Sequence, residues 1–174
     1  LRRFSREHPK IRVTLVSDAT PILLEALRNK EIDLTLTTEA QKGKKDELLL
    51  SDPLVWVGAP NGEACHQKPL PVSLGSDSCA FRDPALEALN KAKIDWQAIC
   101  QIGSLESILA TLEADMAVGP YMAQVIPDKL VMVDHEVGLP ALPIYHINLR
   151  LPSTGSDLIT NELADYIRKG FAML

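Results

Sequence analysis

The sequence predicts an α/β protein made of two lobes, in which strands alternate with helices. Residues 11–38 read as strand, turn, helix and strand, which is the outline of a parallel βαβ unit. Residues 97–118 show the same architecture without repeating the sequence. The simplest assembly is two α/β lobes joined by two crossings of the chain, with the last strand and helix returning to the first lobe.

The first unit is predicted from an alternating segment and a capped helix. Residues 11–16 are rich in β-branched side chains and alternate in polarity, which predicts a strand. Thr20 is the expected N-cap of the next helix, and Pro21 stands at its first position. That helix carries one apolar stripe, and residues 32–36 are the second strand.

The same signals divide the rest of the chain. Two short strands, 47–50 and 54–58, are expected on either side of Ser51-Asp52-Pro53. Helices are expected after Asp83-Pro84, after Gly103-Ser104 and over 156–171, where apolar residues recur at helical spacing. The remaining strands are predicted at 72–74, 96–102, 116–118, 130–133 and 144–151.

Composition excludes several classes of protein. The formal net charge of −5 argues against this chain wrapping nucleic acid by itself, because phosphate binding needs a concentrated positive patch. No apolar run approaches the length of a membrane span, and no targeting signal is visible. Cys65, Cys79 and Cys100 are widely spaced and odd in number, which suits a reducing, cytoplasmic compartment. Cys79 lies in a predicted loop, where an oxidant sensor and an ordinary small apolar residue are both open, and the second is favoured.

No group of residues has the spacing of a known catalytic or metal site. Gly103-Ser104 lacks the glycine pattern of a nucleophile elbow. His135-Glu136 lacks the second histidine of a zinc-binding helix, and Cys65-His66 offers two ligands where structural zinc needs four. The chain is therefore predicted to be no enzyme and to need no cofactor or metal.

A set of landmarks in a fixed order identifies a family. The chain resembles the effector-binding (regulatory) domain of LysR-type transcriptional regulators along its whole length. The landmarks are Phe4-x-x-x-x-Pro9, the strand at 11–16, Leu27-x-x-x-x-x-Asp33-Leu34, the crossing at 54–60, residues 112–118 followed by Gly119-Pro120, and Leu139-Pro140-x-Leu142-Pro143.

The resemblance implies a fold and a set of partners. The fold would be that of type 2 periplasmic binding proteins, with two Rossmann-like lobes joined by two crossover strands. Lobe I would comprise residues 1–58 and 143–174, and lobe II residues 59–142. The chain begins without Met, apparently in the middle of a helix, so a winged helix-turn-helix DNA-binding domain and a linker helix are expected before it. The family further implies a small-molecule effector, promoter DNA, and homodimers formed with helix 21–29 that become tetramers in the full-length protein.

Two positions depart from the family's commonest pattern. Many members have glycine where this chain has Lys30, after the first lobe helix, and where it has Asp115, before a strand. Lys30 is expected to complement the carboxyl end of the helix dipole, and Asp115 to take the left-handed conformation that glycine would supply.

The predicted ligand site lies at the strand-to-helix turns, whose backbone N–H groups and helix dipoles favour anions. If the lobes face each other, turns 17–20 and 103–104 share one cleft. Arg82 is expected to hold an anion in bidentate fashion, whereas Asp18 would favour a neutral or cationic ligand. The complete set of candidate residues is Ser17, Asp18, Thr20, Thr37, Thr38, Ser76, Phe81, Arg82, Gly103, Ser104 and Pro120.

Two alternatives remain beside this interpretation. Serine and threonine at helix starts are first of all caps, and capping alone accounts for the residue type. A periplasmic-type solute-binding protein for a small anionic or polar metabolite shares the two-lobed architecture. The short chain, the missing secretion signal and the unpaired cysteines argue against it.

Overall fold

The computed structural model describes residues 1–40, 47–100 and 104–173. The helices are α1 (Arg2–Glu7), α2 (Thr20–Arg28), α3 (Arg82–Lys91), α4 (Leu105–Glu113) and α5 (Leu158–Phe171). The strands are β1 (Thr35–Glu39), β2 (Glu47–Gly58), β3 (Leu70–Ser73), β4 (Trp96–Cys100), β5 (Gly119–Met122), β6 (Val131–Met132) and β7 (Ile144–Arg150). Among these helices none combines the length and the hydrophobicity needed to cross a membrane.

The chain divides into two compact units. Unit 1 contains Leu1–Ser51 and the chain from His146 onwards, and unit 2 contains Asp52–Tyr145. Strands β2 and β7 each pass from one unit into the other, so the chain crosses the boundary twice.

Unit 1 is built on an antiparallel strand pair and on helices α1, α2 and α5. Strand β1 pairs with β7 in a register that sets Thr35 opposite Arg150 and Glu39 opposite His146. Helix α1 buries Phe4, whose ring meets the ring of Tyr166 on α5 edge-on at 5.5 Å. Aromatic pairs of this geometry contribute about 0.5–1.5 kcal/mol beyond the area that they bury.

The predicted parallel βαβ unit at the start of the chain is wrong. Residues 11–16 form no strand, and Leu15 and Val16 are 75% and 57% exposed. Strand β1 instead runs antiparallel to β7. The physical reason lies at Thr38, whose backbone N–H and carbonyl both meet the hydroxyl of Thr20, at 3.2 and 3.4 Å. That hydroxyl occupies hydrogen-bonding positions on β1 that an added strand would need.

Strand β2 is continuous where two strands were predicted. Pro53 lacks an N–H, which is the reason for expecting a break, but its side chain is exposed and the strand runs through it. Its neighbours hold the strand in place. Leu54 N–H donates to the carbonyl of Pro143 at 3.0 Å, and the buried Asp52 carboxylate accepts from the N–H of Gln124 at 2.8 Å.

Unit 2 contains a short parallel arrangement centred on β3. Strand β4 pairs with β3 in parallel, and Val118 forms a further parallel bridge to Val72 of β3. The core between these elements and α3 consists of Trp56, Ala64, Leu70, Val72, Leu74, Ala85, Leu89 and Val118. Close packing of these side chains supplies most of the stability of the unit.

The strand predicted at 116–118 is displaced toward the C-terminus. Met116 is 53% exposed, and the strand that follows, β5, runs antiparallel to β2. Gly119 explains where it begins. A Cβ atom at this position would lie 2.6 Å from the carbonyl oxygen of Ser73, so only glycine lets the two backbones approach.

Both residues that depart from the family's glycine pattern adopt the left-handed backbone conformation. Lys30 has a φ of 62° and Asp115 a φ of 55°. The expectation for the conformation of Asp115 is therefore confirmed. Lys30 follows the end of α2 in the same conformation, which costs a side chain other than glycine about 1–2 kcal/mol.

Candidate functional site

Side chains at both ends of the turn before α2 form hydrogen bonds with the backbone. Asp18 Oδ1 accepts a hydrogen bond from the N–H of Ala19 at 2.7 Å, and Ala19 is the N-cap of the helix. Thr20 is therefore the first helical residue, and the prediction that it is the N-cap is wrong. Its hydroxyl pairs with the backbone of Thr38 instead. Ser17 and Asp18 are exposed, so this turn offers a hydroxyl and a carboxylate to solvent.

The two threonines predicted to line the site lie differently along β1. Thr38 is half-buried, whereas Thr37 is 1% exposed and lies opposite Asn148 of β7. Arg150 donates to Glu39 at 2.7 Å on the same pair of strands. Burial alone would raise the pKa of Glu39, but hydrogen bonds from Thr37 and Arg150 outweigh it and hold that pKa below its ordinary value.

Asn148 is a buried polar residue that sequence reasoning missed. Its side chain is fully buried, and neither its amide nitrogen nor its amide oxygen has a hydrogen-bond partner in the described part of the chain. Asparagine is depleted in strands, so its position inside the predicted strand 144–151 was the available signal.

In unit 2, residues 75–82, which are the loop after β3 and the first residue of α3, carry three of the predicted ligand residues. Gly75 opens it with a φ of +75°, a left-handed conformation that favours glycine. The hydroxyls of Ser76 and Ser78 lie 2.9 Å apart, and the N–H of Cys79 donates to the carbonyl of Ser76 at 3.0 Å. We call this segment the 75–82 loop.

Arg82 closes the 75–82 loop. Its Nη1 donates to the carbonyl oxygen of Gly75 at 3.0 Å, and its Nε lies 3.3 Å from Oδ1 of Asp77. The Arg82 side chain is 18% exposed, while that of Asp77 is 98% exposed. An anionic ligand at this guanidinium would therefore replace a solvated carboxylate, while the bond to Gly75 keeps the side chain in place.

Tyr145 holds the other side of the loop, and sequence reasoning missed it. Its hydroxyl donates to the carbonyl oxygen of Ala80 at 2.5 Å, and its ring meets the ring of Phe81 edge-on at 5.0 Å. Tyr145 is 3% exposed, and burial raises the pKa of its hydroxyl. Phe81 is thus held by packing and precedes the first residue of α3.

Ser104 is the N-cap of α4, as the capping alternative expects. Its Oγ accepts from the N–H of Ser107 at 3.4 Å. Glu106 lies in the first turn, where a hydrogen bond from the Ser104 hydroxyl holds the pKa of this carboxyl below its usual value. The negative charge of Glu106 complements the helix dipole and competes with an anionic ligand there.

The two remaining candidates contribute little that can be described. Gly103 lies outside the described residues. Pro120 is buried on β5, opposite Trp56 of β2, so its ring belongs to the interior of unit 2.

A cavity of about 210 Å³ lies elsewhere in unit 2, and none of the predicted ligand residues lines it. Asp115 and Asp134 line it, and both carboxylate oxygens of Asp115 already accept backbone hydrogen bonds, from Glu63 at 2.8 Å and from Ala64 at 3.1 Å. Burial raises the pKa of the Cys65 thiol beside it. Within residues 1–40, 47–100 and 104–173, no cluster of three or more His, Cys, Asp or Glu side chains could hold a metal ion.

Comparison with solved structures defines the class of fold. The regulatory domain of a HypT variant from Salmonella typhimurium superimposes with a TM-score of 0.73 at 15% identity, covering 98% of this chain and 90% of the other. The Synechocystis PCC6803 CcmR regulatory domain, in complex with 2-PG, gives 0.67 at 16% identity, covering 98% and 88%. The chain therefore has the type 2 periplasmic-binding-protein-like fold of bacterial regulatory domains.

The sequence identifies the family within that class. The LysR substrate binding domain model matches residues 1–151. The HTH-type transcriptional regulator DgdR of Burkholderia cepacia is 30% identical over 174 residues, which is all of this chain and 59% of that protein. The chain belongs to the LysR substrate-binding domain family, and the predicted resemblance is confirmed. This family comprises effector-binding domains of transcription regulators rather than enzymes, and it favours the regulator over a periplasmic solute-binding protein.

Proposed function

We propose that this chain is the effector-sensing part of a longer regulator that binds promoter DNA in the cytoplasm. The observation that carries the proposal is the family match over residues 1–151 on a chain that spans 59% of DgdR. Relatives named as HTH-type regulators support a DNA-binding segment before this one, and self-association to dimers and tetramers fits the family. We further propose that the two units are the two lobes predicted from the sequence.

The proposed effector is a small polar molecule with at least one anionic group. In unit 2 it would meet Arg82 and the hydroxyls of Ser76 and Ser104. The carboxylate of Glu106 opposes a high negative charge, so hydroxyl groups on the ligand are favoured beside a single acid. The complex of the CcmR domain with 2-PG supports a small ligand of this size class.

Sensing requires that the effector bind one arrangement of the two lobes more tightly than another. A ligand shifts such an equilibrium only by its difference in affinity for the two states, and a coupling of about 1–3 kcal/mol changes DNA affinity by about 5–150-fold. The proposed output is a change in the geometry of the oligomer and therefore in promoter binding.

A thermal-shift screen tests the sensing function. The panel contains 2-PG together with small hydroxy acids, sugar acids and phosphate esters. A true effector at 100 times its dissociation constant adds about 2.7 kcal/mol, which raises the melting temperature by roughly 5–10 °C for a chain of this size. If no compound of the panel shifts the melting temperature, the proposed effector class is wrong.

Site variants separate a ligand contact from a general effect of charge. Arg82→Gln should abolish the ligand-induced shift, because an amide cannot supply the charge. Lys129→Gln removes an exposed cation of the same unit, paired with Glu113 at 2.9 Å, and should leave the shift unchanged. An equal loss in both variants would indicate a general charge effect instead of a site. In the full-length regulator, a mobility-shift assay should show promoter binding that changes with the active compound.

A further inference from the structure

Tyr145 lies at the boundary between the two units of the chain. It is the last residue of unit 2, and the next residue of the same strand, His146, belongs to unit 1. Its hydroxyl holds the carbonyl of Ala80, 65 residues away in sequence, inside the 75–82 loop. Among the contacts that the structure describes, no other hydrogen bond joins that loop to a strand that leaves unit 2.

The hydroxyl is not needed to fill space. A phenylalanine ring would bury the same aromatic surface against Phe81, whereas a buried hydroxyl costs free energy unless it is hydrogen-bonded. The bond to Ala80 therefore offsets the cost of burying the hydroxyl. That bond fixes the loop between two anchors, Tyr145 on one side and the Arg82–Gly75 contact on the other.

We propose that Tyr145 is a positioning residue of the effector site, which presents the 75–82 loop to the ligand and couples the state of that loop to strand β7. The inference rests on the proposed function for its ligand. Because Tyr145 and His146 are adjacent on β7, a ligand that moves the Ala80 carbonyl acts on the strand that enters unit 1. Tyr145 contacts no ligand in this scheme and acts only through Ala80 and Phe81.

Hydrogen–deuterium exchange on Tyr145→Phe tests the positioning step without any ligand. The amides of Cys79 and Arg82 donate to Ser76 and Cys79 within the loop, so their exchange reports its opening. Loss of one hydrogen bond should speed their exchange about fivefold. Tyr121→Phe is the matched control, because Tyr121 is a half-buried tyrosine of the same unit whose hydroxyl makes no hydrogen bond among the described residues.

The outcomes separate a local from a general effect. Faster exchange confined to the loop, with β3 and β4 unchanged and with loop exchange unaltered in Tyr121→Phe, supports the inference. Unchanged loop exchange in Tyr145→Phe overturns it. Equal acceleration in the loop and in β3 also overturns it, because the hydroxyl would then serve only the stability of the unit.

The ligand panel provides the second readout. A compound that stabilises the unmodified chain should bind Tyr121→Phe with unchanged affinity and Tyr145→Phe about fivefold more weakly. In the absence of the compound, the two variants should have equal melting temperatures. Equal affinity for both variants would overturn the inference and leave the sensing function intact. If no panel compound binds, the proposed effector class fails, and the exchange data still decide whether Tyr145 positions the loop.

Discussion

The same substitution at two left-handed positions should change stability in opposite directions. Lys30 and Asp115 both have positive φ after a helix, at 62° and 55°. Lys30→Gly removes a backbone cost of about 1–2 kcal/mol and adds about 0.5–1 kcal/mol of chain entropy to the unfolded state. Because the Lys30 side chain makes no hydrogen bond among the described residues, we expect a net gain of about 0.5 kcal/mol.

Asp115→Gly removes two hydrogen bonds together with the strain. The carboxylate accepts from the N–H groups of Glu63 and Ala64, and each bond contributes about 1 kcal/mol at a partly exposed site. Aspartate also tolerates the left-handed region better than lysine, so glycine recovers less there. The expected net loss is about 1–2 kcal/mol. Asp115→Asn keeps one acceptor oxygen, so its stability should lie between that of the unmodified chain and that of Asp115→Gly.

Urea unfolding measures both changes in separate signals. The chain has two tryptophans, Trp56 and Trp96, and both lie in unit 2, so fluorescence follows the unit that contains Asp115. Circular dichroism at 222 nm follows the helices of both units. With a slope of about 1–3 kcal/mol per molar urea, Asp115→Gly should lower the fluorescence midpoint by roughly 1 M. A shift of the same sign in both glycine variants would refute the reasoning.

Three further predictions concern packing and charge. Gly62→Ala should destabilise unit 2 by about 1–2 kcal/mol in fluorescence-detected urea unfolding, because its Cβ would lie 2.3 Å from the Asp115 carboxylate; adding Asp115→Gly should relieve that part of the loss. Leu89→Ala, in the unit 2 core at 0% exposure, should cost about 2–5 kcal/mol in the same assay, and a loss below 1 kcal/mol would contradict the described core. Arg168 donates to Glu47 and holds its carboxyl pKa low; stability from this pair is present above the unfolded pKa of about 4.3 and is lost as pH falls through the folded value. Arg168→Met should therefore cost about 0.5 kcal/mol at pH 7, since both side chains are more than one-third exposed, and nothing at pH 2 in thermal melts.

Local signals predicted the helices well because a helix is decided within a few turns of the chain. The apolar spacing after Gly103-Ser104 and the polar residues before the last helix correspond to α4 and α5, with Ser104 and Asp157 as their caps. The family resemblance, which rests on landmarks along the whole chain, is confirmed by the match over residues 1–151.

Strand pairing and long-range contacts could not be predicted in the same way. Alternating polarity at 11–16 shows which face a strand would bury but not whether a partner edge is available, and the Thr20 hydroxyl meets the backbone of β1 at Thr38. The hydrogen bond from Tyr145 to Ala80 joins residues far apart in sequence, so no local sequence pattern predicts it. The ligand residues stay predictions, because capping explains Ser104 as well as binding does.

The connectivity of the two units has a consequence for the order in which they form during synthesis. Unit 2 is one continuous segment, Asp52–Tyr145, inserted between the two parts of unit 1. Strand β1 cannot pair until β7 has been made, on the order of 100 residues later. Translation of the intervening residues takes roughly 5–20 s. Unit 2 is synthesised during that interval, while β1 presents an unpaired edge of the kind that promotes aggregation. Completion of unit 1 therefore depends on the final segment of the chain, and truncation after Tyr145 is expected to leave a folded unit 2 joined to an unfolded unit 1.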